Sequence, residues 1–273
     1  MNLSSKEFVQ FLLKKYGFSP SKRLGQNFLV DKTALEKIVT AANLKKNEVV
    51  LEIGPGLGVL TQELAKKAGK VVSVEKDPKM IEVLRETVEG FGNVEIIKGD
   101  VRQIENRKLK IKNPYKIVAN LPYYLTSPII RQFLEAENYP KIIVLLVQKE
   151  VAQRICAKPP DMSLLAVSVQ FYAVSEIISW VSKESFWPKP KVDSAIIRLN
   201  TFVPRPKIDI NLFFKIVKAG FSHPRKQLLN NLSKDLNLNR EVIKNWLVKN
   251  DIQPNQRAET LSVKNWIDLT SSY

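Results

Sequence analysis

The chain has 273 residues, 44% of them hydrophobic, and its 43 Lys and Arg against 27 Asp and Glu give a formal net charge of +16. A single histidine (His223) and a single cysteine (Cys156) exclude a His/Cys zinc site and an internal disulfide, so no metal is expected, and any Ser–His–Asp triad is restricted to one position. The longest apolar run, 142–147, is far short of a membrane span, and 1–17 has no signal-like apolar stretch; the expected setting is a reducing cytoplasm and the expected partner a polyanion, nucleic acid first.

Ser4 and Glu7 have capping-box spacing and predict a helix to about Tyr16, stopped by Gly17. Asp31 is the expected N-cap of a second helix through about Ala42. The apolar run 49–53 predicts a strand that feeds a glycine turn, and 57–68 a helix ended by Gly69. A strand over 71–74 precedes a helix opened by Pro78, and further strands are expected at 94–97, 115–119, 142–147, 175–181 and 193–199. Continuous apolar strands alternating with helices predict an α/β fold with a mostly parallel sheet of seven strands covered on both faces. Pro204-Arg205-Pro206 breaks the pattern. Beyond it, stripes at Phe213, Ile216 and Val217, at Leu228, Leu229, Leu232 and Leu236, and at Val242, Ile243, Trp246 and Leu247 predict a small all-helical domain. The expected domains are therefore 1–203 and 204–273.

Charge and glycine are unevenly spread. Residues 51–100 hold seven basic and nine acidic groups, whereas 1–50 and 101–150 each hold nine basic and four acidic and 201–273 hold twelve and six. The acidic exception also contains Glu52-Ile53-Gly54-Pro55-Gly56-Leu57-Gly58, three of the ten glycines, at a strand end. Glycines there let backbone approach a ligand closely, but the third stands two positions after the second, one short of the dinucleotide fingerprint, which argues against NAD. Glu75 follows the second strand and can accept both ribose hydroxyl hydrogens; Asp100 follows the third and can accept from an adenine amino group. A nucleoside site without phosphate-binding cations suits S-adenosylmethionine. A glycine turn alone would equally fit an ordinary tight turn; acids at successive strand ends strengthen the nucleoside reading.

The fourth strand ends in Asn120-Leu121-Pro122-Tyr123. The Asn120 side-chain carbonyl and the Pro122 backbone carbonyl are two acceptors for the hydrogens of an exocyclic amine, and the Tyr123 ring can stack on a flipped-out base. Catalysis would then be positioning and electrostatics, without a histidine. Asn and Pro are also common turn formers; the order glycine turn, Glu75, Asp100, Asn120 favours the catalytic reading.

These residues resemble the ribosomal RNA adenine dimethyltransferases, most of all the bacterial small-subunit branch (KsgA, or RsmA). The resemblance runs through Leu24-Gly25-Gln26-Asn27-Phe28-Leu29 and Asp31, the glycine turn, Glu75, Gly99-Asp100, Asn120 to Tyr123, Gln148-Lys149-Glu150-Val151, Phe186, Pro188 to Ser194, Arg225-Lys226 with Asn230-Asn231-Leu232, and Arg257-Ala258-Glu259. Leu121 favours this branch over the erythromycin-resistance enzymes, which usually carry Ile there. The resemblance implies a class I, Rossmann-like methyltransferase fold. It implies that Asn27, Leu29, Gly54, Gly56, Glu75, Asp100, Val101 and Asn120 contact S-adenosylmethionine, with Asn120, Pro122 and Tyr123 catalytic. It further implies dimethylation of two adjacent adenosines near the 3′ end of 16S rRNA, within an assembling small subunit. Departures fall at His223-Pro224-Arg225-Lys226, which has one arginine fewer than the family's basic motif, and at Asp161 to Leu164. Residues 26–28, apart from the resemblance, read only as a polar loop.

Lys22, Arg23, the run Arg102 to Lys116, and Arg225 with Lys226 are the candidate phosphate contacts. His223 is expected at a helix end or facing RNA, and Cys156 packed. The rival readings are an erythromycin-resistance-type enzyme acting on large-subunit (23S) rRNA and a non-catalytic small-subunit assembly factor. A monomer is expected.

Overall fold

The computed structural model describes residues 5–21, 25–104, 109, 111 and 114–273. Its elements are α1 (Lys6–Lys15), β1 (Phe28–Leu29), α2 (Lys32–Ala42), β2 (Val49–Ile53), α3 (Val59–Lys67), β3 (Lys70–Glu75), α4 (Pro78–Thr87), β4 (Val94–Lys98), β5 (Tyr115–Asn120), α5 (Thr126–Leu134), β6 (Ile142–Gln148), α6 (Lys149–Ile155), α7 (Leu164–Gln170), β7 (Ala173–Val181), β8 (Phe186–Trp187), β9 (Ser194–Thr201), α8 (Ile210–Gly220), α9 (Leu228–Asp235), α10 (Arg240–Lys249) and α11 (Val263–Ser271).

Seven strands form one sheet in the order β4-β3-β2-β5-β6-β9-β7, parallel from β4 to β6, with β9 antiparallel to β6. The chain builds outward from β2 in one direction and from β5 in the other. The crevice between the carboxyl ends of β2 and β5 is therefore the switch point at which open α/β sheets bind ligands. Ile117, Val118 and Ala119 of β5 and Ile143 to Val147 of β6 are fully buried, as strands covered on both faces must be. Helix α2 turns Ala34, Leu35, Ile38 and Val39 into that core.

Two compact units result: Met1–Ala152 with Glu176–Thr201, and Gln153–Ser175 with Phe202–Tyr273. The break after Thr201 lies beside the expected boundary at 203/204, but residues 153–175 group with the C-terminal helices, which periodicity along the chain could not show. In the second unit Phe171 stacks on Phe213 with centroids 4.2 Å apart. The buried Asn231 amide donates to the carbonyls of Gly220 (2.7 Å) and His223 (3.0 Å). Of the expected third stripe, Ile243, Trp246 and Leu247 are buried but Val242 is exposed.

Several local expectations are corrected. Ser5, not Ser4, caps α1, its hydroxyl accepting from the Phe8 amide; Ser4 lies outside the described residues. Helix α3 starts at Val59 rather than 57, because Gly58 at its N-cap has φ +85°. Residues 26–28 are not merely a polar loop: Phe28 and Leu29 pair antiparallel with Trp187 and Phe186. A two-residue strand whose partner lies over 150 residues away leaves no periodic signal. Helices α5, α6 and α7, of nine, seven and seven residues, were likewise not among the expected elements.

Candidate active site

The loops beyond the carboxyl ends of β2, β3, β4 and β5, closed by β1 and β8, line one pocket in the first unit. Asn27, Leu29, Gly54, Gly56, Glu75, Asp100, Val101, Asn120, Pro122 and Tyr123 all border it. Eight positions expected to bind a cofactor and three expected to act catalytically thus converge, Asn120 being in both sets.

The three turn glycines have different roles although all have positive φ, +67°, +56° and +85° for Gly54, Gly56 and Gly58. A Cβ on Gly54 would meet nothing within 4 Å, so this glycine faces open pocket. A Cβ on Gly56 would lie 3.4 Å from the Phe28 ring. A Cβ on Gly58 would fall 2.6 Å from Thr87 Oγ1 and 2.9 Å from Leu84 Cδ1, so Gly58 lets the turn pack on α4.

Glu75 ends β3 with its carboxylate held by backbone alone. Oε1 accepts from the Lys76 (2.7 Å) and Asp77 (2.8 Å) amides, and Oε2 from the Gly56 amide (3.3 Å). Burial pushes its pKa up, against these bonds. Because amides rather than cations hold the group, its negative charge is not cancelled and lone pairs stay available to hydroxyl donors. Asp100 differs. Arg102 grips it through Nη2 (2.6 Å), Nε (3.0 Å) and its amide (3.1 Å), and Lys76 Nζ stands 3.3 Å away. The Arg102 bonds hold its carboxyl well below the usual range. The site is therefore not free of basic side chains, contrary to the sequence expectation. Arg102 is correspondingly a partner of Asp100 rather than an open phosphate contact.

Asn120, at the last position of β5, donates through Nδ2 to the Asn27 carbonyl (3.3 Å), which leaves Oδ1 as the acceptor end. The Asn27 side chain itself donates back to the Gly25 carbonyl (3.3 Å). The Pro122 carbonyl accepts from the Leu125 amide (2.9 Å) in a short 3₁₀ turn, so one of its lone pairs is engaged. The Tyr123 hydroxyl and Ser194 Oγ are 2.9 Å apart, which fixes the ring; burial pushes the phenol pKa up, so it stays protonated.

The roles of four features were missed or misread from the sequence. Glu52 is 1% exposed, accepts from Ser73 Oγ at 2.8 Å through Oε2, and has no partner for Oε1. Burial pushes its pKa up to about 7. A charge inside an apolar strand run was the available signal. Gln26 Nε2 reaches Asp77 Oδ2 (3.2 Å), and Ser185 Oγ donates to Asp31 (2.7 Å), tying the N-terminal loop to the sheet and to β8. Phe186, buried in β8, lines the pocket. The fourth is Lys116, placed among the phosphate contacts by sequence. It is 3% exposed, and its ammonium donates to Glu48 (2.7 Å) and the Asn43 carbonyl (2.5 Å) at the opposite end of the sheet, so it cannot meet a phosphate.

Of the other basic candidates, Lys22 and Arg23 lie outside the described residues, as does most of the stretch between Arg102 and Lys116. Arg225 and Lys226 are exposed in the second unit, in the turn before α9. His223 stands in the same turn and not on the pocket. Within Asp161 to Leu164, Asp161 and Leu164 are exposed, whereas Met162 is buried and its amide donates to the Glu259 carbonyl (2.9 Å). Cys156 is half-buried.

Comparisons with known proteins agree with this geometry. The family described as "Ribosomal RNA adenine dimethylase" matches residues 17–273. "Ribosomal RNA small subunit methyltransferase A" from Dehalococcoides mccartyi is 44% identical over 96% of this chain and 91% of its own length. The protein of the same description from Alkaliphilus metalliredigens is 42% identical over 95% and 93%. Among solved structures, the 23S rRNA methyltransferase ErmE superposes with a TM-score of 0.76 at 28% identity, covering 90% of this chain and 99% of that one. A dimethyladenosine transferase from Plasmodium falciparum gives 0.76 at 28%, covering 89% and 95%. A Rossmann-like seven-stranded sheet, with a family match along almost the whole chain, makes this chain a methyltransferase that belongs to the ribosomal RNA adenine dimethylase family.

Proposed function

We propose that this protein transfers methyl groups from S-adenosylmethionine to the exocyclic amines of two adjacent adenosines near the 3′ end of small-subunit (16S) rRNA, on an assembling small subunit in the cytoplasm, and that it acts as a monomer. The observation that carries the reading is the Asn120 amide. Its N–H end is committed to the Asn27 carbonyl, so Oδ1 is the end presented to an incoming amine.

The pocket fits the cofactor in three respects. Gly54 leaves room where any side chain would intrude, Glu75 offers a backbone-held carboxylate for ribose hydroxyls, and Val101 supplies buried apolar surface beside Asp100. S-adenosylmethionine, when bound, supplies an electrophilic methyl on a sulfonium. This chain's own groups do the rest. Asn120 Oδ1 and the remaining lone pair of the Pro122 carbonyl accept the two amine hydrogens and turn the nitrogen lone pair out of conjugation with the base. Tyr123, fixed by Ser194, gives the adenine a stacking face. No side chain must take up a proton before transfer, so rate enhancement comes from orientation and fixed dipoles.

The small-subunit assignment rests on relatives 39–44% identical that bear that description. The two solved structures superpose equally well, one of them a 23S enzyme, and so favour neither subunit. The test is incubation with labelled S-adenosylmethionine and unmethylated small or large subunits, followed by mapping of the label. Label on adjacent adenosines of small-subunit RNA is expected. Label on large-subunit RNA would move the protein to the other branch, and binding without label would make it an assembly factor.

A further inference from the structure

Strand β7, at the edge of the sheet, exposes alternate residues: Ile178 is 37% and Trp180 50% exposed. An indole half open to solvent on a sheet edge offers an apolar ring with a polar N–H to a partner. Trp180 is also not isolated from cations. Lys149 Nζ lies over its ring, 5.5 Å from the centroid, and no carboxylate among the described residues pairs with Lys149.

This patch is joined to the catalytic loop through one dipeptide. Ser194 Oγ meets the Tyr123 hydroxyl at 2.9 Å. Asp193, the preceding residue, accepts from the Lys149 amide through its carbonyl (3.0 Å) and from the Lys183 amide through its side chain (3.0 Å). The segment that fixes the catalytic tyrosine thus also fixes the lysine that sits on Trp180.

We propose that Trp180 and Lys149 form a stacking platform for a single-stranded RNA nucleotide next to the flipped adenosine, the indole holding its base and the ammonium its phosphate. The inference rests on the function proposed above. An aromatic ring beside a cation is the arrangement that binds single-stranded nucleic acid with little sequence preference, and base stacking there typically changes affinity by about tenfold or more. An acidic or purely apolar partner would leave one of the two features unused. The platform adds substrate binding without touching the reacting atoms.

The test compares wild type with Trp180→Ala, Trp180→Phe and Trp180→Leu on unmethylated small subunits, reading KM, kcat and thermal stability. Expected are an unchanged melting temperature, a KM about tenfold higher for Ala and Leu with kcat within about twofold, and near-complete rescue by Phe. Ultraviolet cross-linking should also join Trp180 to RNA. A KM unchanged in Trp180→Ala overturns the platform, and rescue by Leu equal to that by Phe shows an apolar protein contact instead. Wild type that labels no small subunit refutes the proposed function itself, a separate outcome from loss of the Trp180 effect.

Discussion

The two ends of the parallel sheet bury polar groups in opposite ways. At the amino ends of β2 and β5, the buried Lys116 ammonium is spent on Glu48 Oε2 and the Asn43 carbonyl, and the same Oε2 also accepts from the Lys45 amide, so these groups are committed to one another. Burial alone would raise the Glu48 pKa, but the Lys116 bond leads the effects that hold it below the ordinary range. At the carboxyl ends, Glu75 is held by amides and Asn120 by a single carbonyl, so each keeps acceptor atoms for something else. The glycines repeat the contrast. A Cβ at Gly69, at the amino end, would collide with the Lys46 carbonyl, whereas a Cβ at Gly54 would enter open pocket. Polar groups that pair with one another specify the fold, and ones held on rigid strand ends with acceptor atoms turned to the pocket are free for chemistry.

The sharpest way to break this comparison is Lys116→Ala. It removes the buried ammonium from the half-buried Glu48 carboxylate and should cost about 1–3 kcal/mol of stability in urea unfolding, with unchanged turnover per folded molecule. A variant that unfolds like wild type would mean the pair is not a structural saturating contact. Asn120→Ala tests the other end. Methyl transfer should fall about hundred- to thousandfold while the melting temperature hardly moves, and retained activity would remove Asn120 from the mechanism.

Glu52 lies between these cases, buried at the carboxyl end with one oxygen unpartnered. Its folded pKa of about 7 stands above the ordinary 4.5, so the native state binds the proton more tightly than the unfolded chain. Its contribution to stability is then complete below about pH 4.5, is lost as pH rises to about 7, and is absent above. The difference is about 3 kcal/mol at about 1.4 kcal/mol per pKa unit. Glu52→Gln should therefore gain stability relative to wild type between pH 5 and pH 8, and a difference that is flat with pH would place the ionised form in the fold. The smallest effect is expected for Gly54→Ala. Its positive φ costs about 1–2 kcal/mol, and the added methyl should weaken S-adenosylmethionine binding in calorimetry. Unchanged affinity would detach Gly54 from the cofactor.

Much of the site was legible because its residues sit at strand ends, where hydrophobic periodicity stops and a polar residue stands out. Glu75, Asp100 and Asn120 each follow an apolar run, and the spacing of Gly54, Gly56 and Gly58 argued against a dinucleotide fingerprint. The basic surface was far less legible. Lys116 and Arg102 count as positive charge in the sequence, yet one is buried in an ion pair and the other clasps Asp100. A charge count cannot tell a surface cation from one consumed inside the protein.

By itself the sequence determined the strand–helix alternation, the parallel core and the order of the chemical groups, since these follow from local periodicity and from residue type. Only the tertiary structure decided which groups remain available. It brought Phe28 and Leu29 against Trp187 and Phe186, pointed the Asn120 amide at the Asn27 carbonyl, and joined 153–175 to the C-terminal helices. Each of these is a pairing between residues far apart in the chain. Its free energy depends on which partners the packed core brings within hydrogen-bond reach, and that information is not carried by any one stretch of sequence.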